Sequence, residues 1–116
     1  MSQPIAATKT SFSELELIEF EVCNPKSSSD KNYFGINISK VREIIRIPPL
    51  TSLPNMHPSV KGIFTLRGDI YPCIDLGTFL YGEEIKNSEG KMIISEFSNL
   101  KISFIVSNVK TIHRVT

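Results

Sequence analysis

Short β-prone runs, each closed by turn residues, dominate this chain, and no segment keeps a helical period for more than a turn or two. That pattern constrains the fold most. In LELIEFEVC, Ile18, Phe20 and Val22 alternate with Glu19 and Glu21, the period of a half-buried strand. After NPKSSSDKN (24–32), a loop by composition, YFGINIS alternates again through Phe34, Ile36 and Ile38, which predicts a hairpin with a long loop. In SKVREIIRIPPL the β-branched run and Pro48-Pro49 limit any helix, so a short turn and then a strand over roughly 43–47 are expected. In HPSVKG, Pro58 suits a first helical position and Gly62 a position just past a helix end, which predicts a short helix over 57–62.

GIFTLRGDIYPCIDL reads as strand, turn, strand, with Arg67-Gly68-Asp69 at or beside the turn. Ile70, Pro72, Ile74 and Leu76 share one face, and Pro72, which cannot donate to a ladder, marks an edge strand or a bulge. Asp75 has the side chain to cap a helix over 76–81, with Gly82 stopping it. Past the polar loop GEEIKNSEGK, the runs KMIISEF and LKISFIVSNV predict a second hairpin turning near Ser98-Asn99, followed by the short apolar piece KTIHRVT. Several short strands with few helical pieces point to a mainly β fold, a small barrel or pair of barrels.

Composition bounds the function. The 116 residues are 41% hydrophobic and 22% charged, enough for one globular domain. A net charge of +1 without a basic block argues against phosphate-dominated nucleic-acid binding. No window approaches a membrane span, and MSQPIAATKTS lacks the apolar core of a secretory signal, so a cytoplasmic protein with a flexible leader over 1–13 is expected. Cys23 and Cys73 lie in strand-like runs without paired spacing and read as buried free thiols.

No catalytic constellation emerges. His57 and His113 are the only histidines, and HExxH, CxxC and a glycine-rich phosphate loop are all missing, so no enzyme, metal or cofactor is expected. Three Ser-x-x-Lys matches (Ser28/Lys31, Ser98/Lys101, Ser107/Lys110) lack partner motifs and read as surface. Asp69 and Asp75 stand about 20 Å apart along a straight strand at ~3.3 Å per residue. Carboxylates that share a glycosidic bond sit about 5–9.5 Å apart, so these two read as a turn residue and a helix cap. Arg67, ending an apolar strand, either pairs with a carboxylate to organise the turn or faces a partner.

The order and spacing of several motifs resemble the CheW-like adaptor domain of bacterial chemotaxis. They are Phe34-Gly35-Ile36-Asn37-Ile38, Val41-Arg42-Glu43-Ile44, Gly62-Ile63-Phe64-Thr65-Leu66-Arg67-Gly68 and Pro72-Cys73-Ile74-Asp75-Leu76, within a match from about Leu15 to Val115. The glutamate-rich lead ELELIEFE and the segment LPNMHPSV are more similar to the N-terminal domain of the CheV group. Two positions depart from the family pattern: Thr65 replaces the usual Asn before Leu-Arg-Gly, and Val106-Ser107-Asn108-Val109 replaces Val-Asp-x-Val.

The resemblance implies a pair of five-stranded barrels with short helices: a CheW-like domain over 14–116, with a first barrel over about 14–81 and part of a second over 90–116, incomplete at the C-terminus. It implies a non-enzymatic scaffold that bridges chemoreceptor cytoplasmic tips (methyl-accepting chemotaxis proteins) and the regulatory domain of the histidine kinase CheA, in the cytoplasm at membrane receptor arrays. Carried over by position, the receptor-facing residues would be Val41, Gly62, Arg67, Met92 and Val109, and the kinase-facing ones Glu43 and Leu50. Core packing is the competing account of Val41, Leu50, Met92 and Val109. An open barrel would also admit strand-exchanged or edge-paired homo-oligomers. The alternative is a small β-barrel that binds single-stranded nucleic acid. It would need surface aromatics interleaved with Lys and Arg, whereas the seven Phe and three Tyr fall mostly at core-like positions.

Overall fold

The structure is a computed structural model and describes residues 15–86 and 89–115; the leader over 1–13 lies outside them. Among these residues eight strands run in order: β1 (Leu15–Asn24), β2 (Ser27–Asn37), β3 (Val41–Arg46), β4 (Val60–Leu66), β5 (Asp69–Asp75), β6 (Lys91–Phe97), β7 (Leu100–Val106) and β8 (Asn108–Val115). A 3-10 turn, Ile38–Lys40, precedes β3, and one short helix, α1 (Leu76–Tyr81), follows β5. The strands form a three-stranded sheet, β2-β1-β8, and a five-stranded sheet, β3-β6-β7-β5-β4.

This pairing changes the sequential division expected from the sequence. Strands 91–97 and 100–106, assigned to a second barrel, complete the five-stranded sheet with β3, β4 and β5. The second sheet instead joins the first hairpin to the last strand, as Leu17 pairs with His113 and Ile18 with Ile112. Such partners lie far apart in sequence, and strand periodicity carries no information about which distant strand will pair. One hydrophobic cluster serves both sheets, joining Ile18, Phe20, Val22 and Ile36 to Tyr71, Cys73, Met92, Ile93, Ile94, Ile105 and Val106.

The five-stranded sheet is curled. Its edge strands β3 and β4 share no ladder among the described residues, yet side chains reach around from β3. Arg42 meets Asp69 and Tyr71 of β5, and Glu43 meets Arg67 at the β4–β5 turn. A bridge between Thr51 and Ile63 lays the 47–59 connection along the free edge of β4. The barrel is thus drawn closed by charged side chains and a crossing segment.

Several local expectations hold. The turn between β4 and β5 falls at Arg67-Gly68, and the hairpin between β6 and β7 turns at Ser98-Asn99. Asp75 caps α1 by accepting from the Thr78 amide, and Gly82 ends it in the left-handed conformation. Others change. The loop over 24–32 shrinks to Pro25-Lys26, because β1 and β2 extend by pairing Cys23 with Lys31 and Asn24 with Ser27. Phe34 stacks on Phe20 at 5.5 Å in this hairpin.

Residues 57–62 form no helix. His57 accepts the Ser59 amide through Nδ1 and the Val60 amide through its carbonyl, making a turn that feeds β4. Gly62 then lies inside the strand at φ 152, with no room for a Cβ against the Thr51 carbonyl, so close backbone approach, and not helix termination, explains this glycine. Pro72 lies in an interior strand, and its position is tolerated because the parallel ladder with β7 covers only Cys73–Asp75. The Pro72 carbonyl instead accepts from the Ser103 hydroxyl at 3.1 Å. In this strand the fully buried face carries Tyr71, Cys73 and Asp75, while Ile70 is 56% exposed. Cys73 is a buried free thiol as expected, whereas Cys23 is only half-buried.

Candidate interaction surface

A two-residue turn with positive φ at both central positions, Arg67 (49°) and Gly68 (86°), joins β4 to β5. Such turns match the twist of a hairpin and favour Asn-Gly. An arginine in the left-handed region costs about 1–2 kcal/mol, so its backbone gains nothing there. The side chain supplies the compensation, with Nη1 2.7 Å from Glu43 Oε2 across the mouth of the curled sheet. The arginine is 62% exposed and the glutamate 30%, so the pair is open to solvent and to a partner.

Beside it lies a second polar cluster. Arg42 Nη1 donates to Glu96 Oε2 at 2.7 Å, to Asp69 Oδ2 at 3.3 Å and to the Tyr71 hydroxyl. Tyr71, whose ring is fully buried, donates in turn to Glu96 Oε2 at 3.0 Å. The hydrogen bond from Tyr71, and then that from Arg42, holds the Glu96 carboxyl below its ordinary value. Burial, and then the bond to Glu96, pushes the Tyr71 phenol up, so it stays a donor across the ordinary pH range. The network has one cation, two carboxylates and one phenol, and the phenol is held as a donor to Glu96. It is suited to holding strand ends and presenting charge.

Glu43 and Arg67, read as facing different partners, contact each other. Val41 shares the half-buried side of β3 with Glu43 and packs on the core. Gly62 is buried under Thr51. Met92 has no exposed surface, and the Cys73 thiol lies 3.2 Å from its sulfur. It therefore packs in the core, the account that competed with the receptor-facing role implied by the resemblance. Val109 is half-buried on β8, in the other sheet. Leu50 lines a separate cavity of about 230 Å³ with Lys61, Asp75 and Glu84, at the end of β5 opposite Arg67. Only Val41, Glu43 and Arg67 thus share a locality. Arg42, Tyr71 and Glu96 were not singled out from the sequence. An arginine inside a β-branched run was the available signal for the first, and nothing local marked the others.

The family model for the CheW-like domain matches residues 28–116. The chain belongs to the CheW-like domain family. Among its relatives, the chemotaxis protein CheV3 of Helicobacter pylori is 34% identical over 113 residues, covering 95% of this chain and 36% of that protein. The chemotaxis protein CheW of Thermotoga maritima is 22% identical, over 89% of this chain and 64% of its own length. The crystal structure of the scaffolding protein TtCheW from Thermoanaerobacter tengcongensis superposes with a TM-score of 0.71 at 25% identity, covering 87% of this chain and 65% of that one. This CheW-like domain therefore spans between about a third and two thirds of the length of these relatives.

Proposed function

We propose that this CheW-like domain is a non-enzymatic coupling module that bridges the cytoplasmic tips of chemoreceptors and the regulatory domain of the histidine kinase CheA. The observation that carries the reading is the likeness, in sequence and fold, to chemotaxis CheW proteins and to a scaffolding protein. The exposed Arg67–Glu43 pair is the docking element, with Val41 beside it and the Arg42–Tyr71–Glu96 network behind it. Gly62 acts by letting the backbone close up, and Leu50 and Val109 mark surfaces away from this locality. Met92 serves the reading only through the core. The place of action is the cytoplasmic side of receptor arrays; no helix among the described residues is long and apolar enough to cross a membrane. The nucleic-acid alternative gains no support from the family match.

Co-sedimentation tests the reading, using the full-length protein, a receptor signalling fragment and the CheA regulatory domain. Capture of both partners is expected, and Arg67→Ala should reduce it while the circular dichroism spectrum stays unchanged. Failure of the folded full-length protein to bind either partner would sink the proposal.

A further inference from the structure

Strict alternation along β1 places Glu21 on the solvent side with Glu19, yet Glu21 is 93% buried, at 7% relative exposure. The junction of β7 and β8 covers it: the Ser107 amide donates to the Glu21 carbonyl at 3.0 Å, and the Ser107 hydroxyl accepts from the Cys23 amide at 2.8 Å. These contacts form one wall of a cavity of about 610 Å³ in the seam between the two sheets, lined also by Asn24, Pro25, Ile85, Lys86, Glu89 and Asn108. The Glu21 carboxylate faces a poor set of donors. Among the described residues, Oε2 receives only the Cys23 thiol, at 3.7 Å, and Oε1 has no hydrogen-bond partner. The nearest cation among the described residues is Lys110, whose Nζ stands 4.0 Å from Oε1, outside hydrogen-bond range, on a side chain 42% exposed. A buried carboxylate is ordinarily paired or hydrogen-bonded, because leaving water without a replacement donor is costly.

We infer that this seam cavity is a binding site for an alkylammonium or guanidinium group, which inserts beside Glu21 and donates to Oε1. The side chains present suit such a ligand. Ile85 and Pro25 give an apolar wall for its alkyl stem, Glu21 gives the buried charge, and Asn24, Asn108 and Glu89 add oxygen acceptors. Lys86 and Glu89 are exposed and of opposite sign, so they largely offset each other at the rim. The site lies at the Asp75 end of the five-stranded sheet, away from the Arg67–Glu43 pair at the other end, and is independent of the proposed coupling role. The cation could be a free amine or a lysine or arginine side chain of a bound peptide; the recognition chemistry is the same.

Amide chemical-shift titration of the full chain distinguishes these outcomes, with n-butylammonium, n-butylguanidinium and N-acetyl-lysine-amide as probes and n-butanol as the neutral control. Saturable shifts are expected at Cys23, Ser107 and Asn108 with at least one cationic probe and not with butanol. Response to the lysine derivative alone would assign a peptidic source, and response to the small cations a free amine; both support the site. Glu21→Gln should weaken the response about tenfold or more, the size expected on losing a charge-assisted hydrogen bond. Lys110→Met, which removes the one competing cation near Oε1 among the described residues, should strengthen it. Absence of saturable shifts with every cationic probe, or equal response in Glu21→Gln, would overturn the inference.

Discussion

The two ends of the five-stranded sheet treat charge in opposite ways. At the end bearing the β4–β5 turn, Arg67, Glu43, Arg42, Asp69 and Glu96 pair with one another at a surface still reached by water. At the other end two carboxylates are buried, and they differ from each other. Asp75 is 1% exposed and accepts the Thr78 amide at 3.0 Å and the Ile85 amide at 3.1 Å, one on each oxygen. Glu21 is almost as deeply buried and has no comparable donor among the described residues. The contrast separates three uses of a charged side chain: closing a barrel mouth, fixing a chain turn, and waiting for a ligand. Burial alone does not tell the last two apart; the inventory of donors does.

The largest expected effect concerns the buried end. Asp75→Ala leaves two inward amides without acceptors and should lower stability by about 2–4 kcal/mol in urea unfolding. Asp75→Asn should not restore it, because one oxygen becomes a donor facing an N–H. Glu21→Gln, by contrast, removes a poorly solvated charge and should leave the urea midpoint unchanged or raise it. If both substitutions cost the same, the distinction between the two carboxylates is broken.

Gly62→Ala should come next, at about 1–3 kcal/mol, since φ 152 is strained for alanine and the Thr51 carbonyl blocks its Cβ. Any loss of partner binding in that variant should track the loss of fold measured by thermal melting.

At the open end the effects are smaller. Tyr71→Phe should cost about 1 kcal/mol, as one hydroxyl leaves the Arg42–Glu96 pair. It should also change the acid limb of stability. Because the folded Glu96 value is lowered, its contribution is present above the ordinary carboxylate value and is lost as pH falls through the folded value. Asp75, raised chiefly by burial, acts in the opposite sense and gains stability as it protonates. Urea titrations between about pH 3 and 6 should therefore show a shallower acid loss in Tyr71→Phe than in the wild type. An unchanged slope would detach Glu96 from the network.

The smallest stability effect belongs to Arg67. Arg67→Asn relieves the left-handed backbone and loses a solvent-exposed ion pair worth about 0–1 kcal/mol, so the two nearly cancel. A melting temperature close to wild type together with reduced partner capture would place Arg67 at a contact; a large drop in melting temperature would make it a strut. Thiol labelling adds a check on the core shared by both sheets. Burial pushes Cys73 up to about 11, so in native protein the half-buried Cys23 should react first and Cys73 only on unfolding.

Much of the local structure was legible in the sequence. Alternation located the strands, Asp75 and Gly82 bounded α1, and Gly68 placed the β4–β5 turn. Motif order gave the family, and the matched family model and solved relative agree. The clearest misreading has a long-range cause. HPSVKG satisfied local helix rules, but Gly62 answers to Thr51, eleven positions away. Pro72 read as marking an edge strand or a bulge; the strand is interior, and the β4–β5 ladder shifts register beside it, between Val60 and Gly62 opposite Ile74 and Cys73. Met92 was a receptor-facing candidate only through the family resemblance, and its own strand-like run already favoured the core packing that the structure has.

The sequence by itself determined most of the strands, the β4–β5 and β6–β7 turns and the bounds of α1. These depend on near-neighbour rules: side-chain period, capping and backbone preference at Gly and Pro. Only the tertiary structure decided that β8 joins β1, that Glu43 and Arg67 meet across the curled sheet, and that Glu21 is buried without a good donor among the described residues. Each of those outcomes joins residues distant in sequence. Their energies come from burial and pairing, which exist only once the strands have assembled.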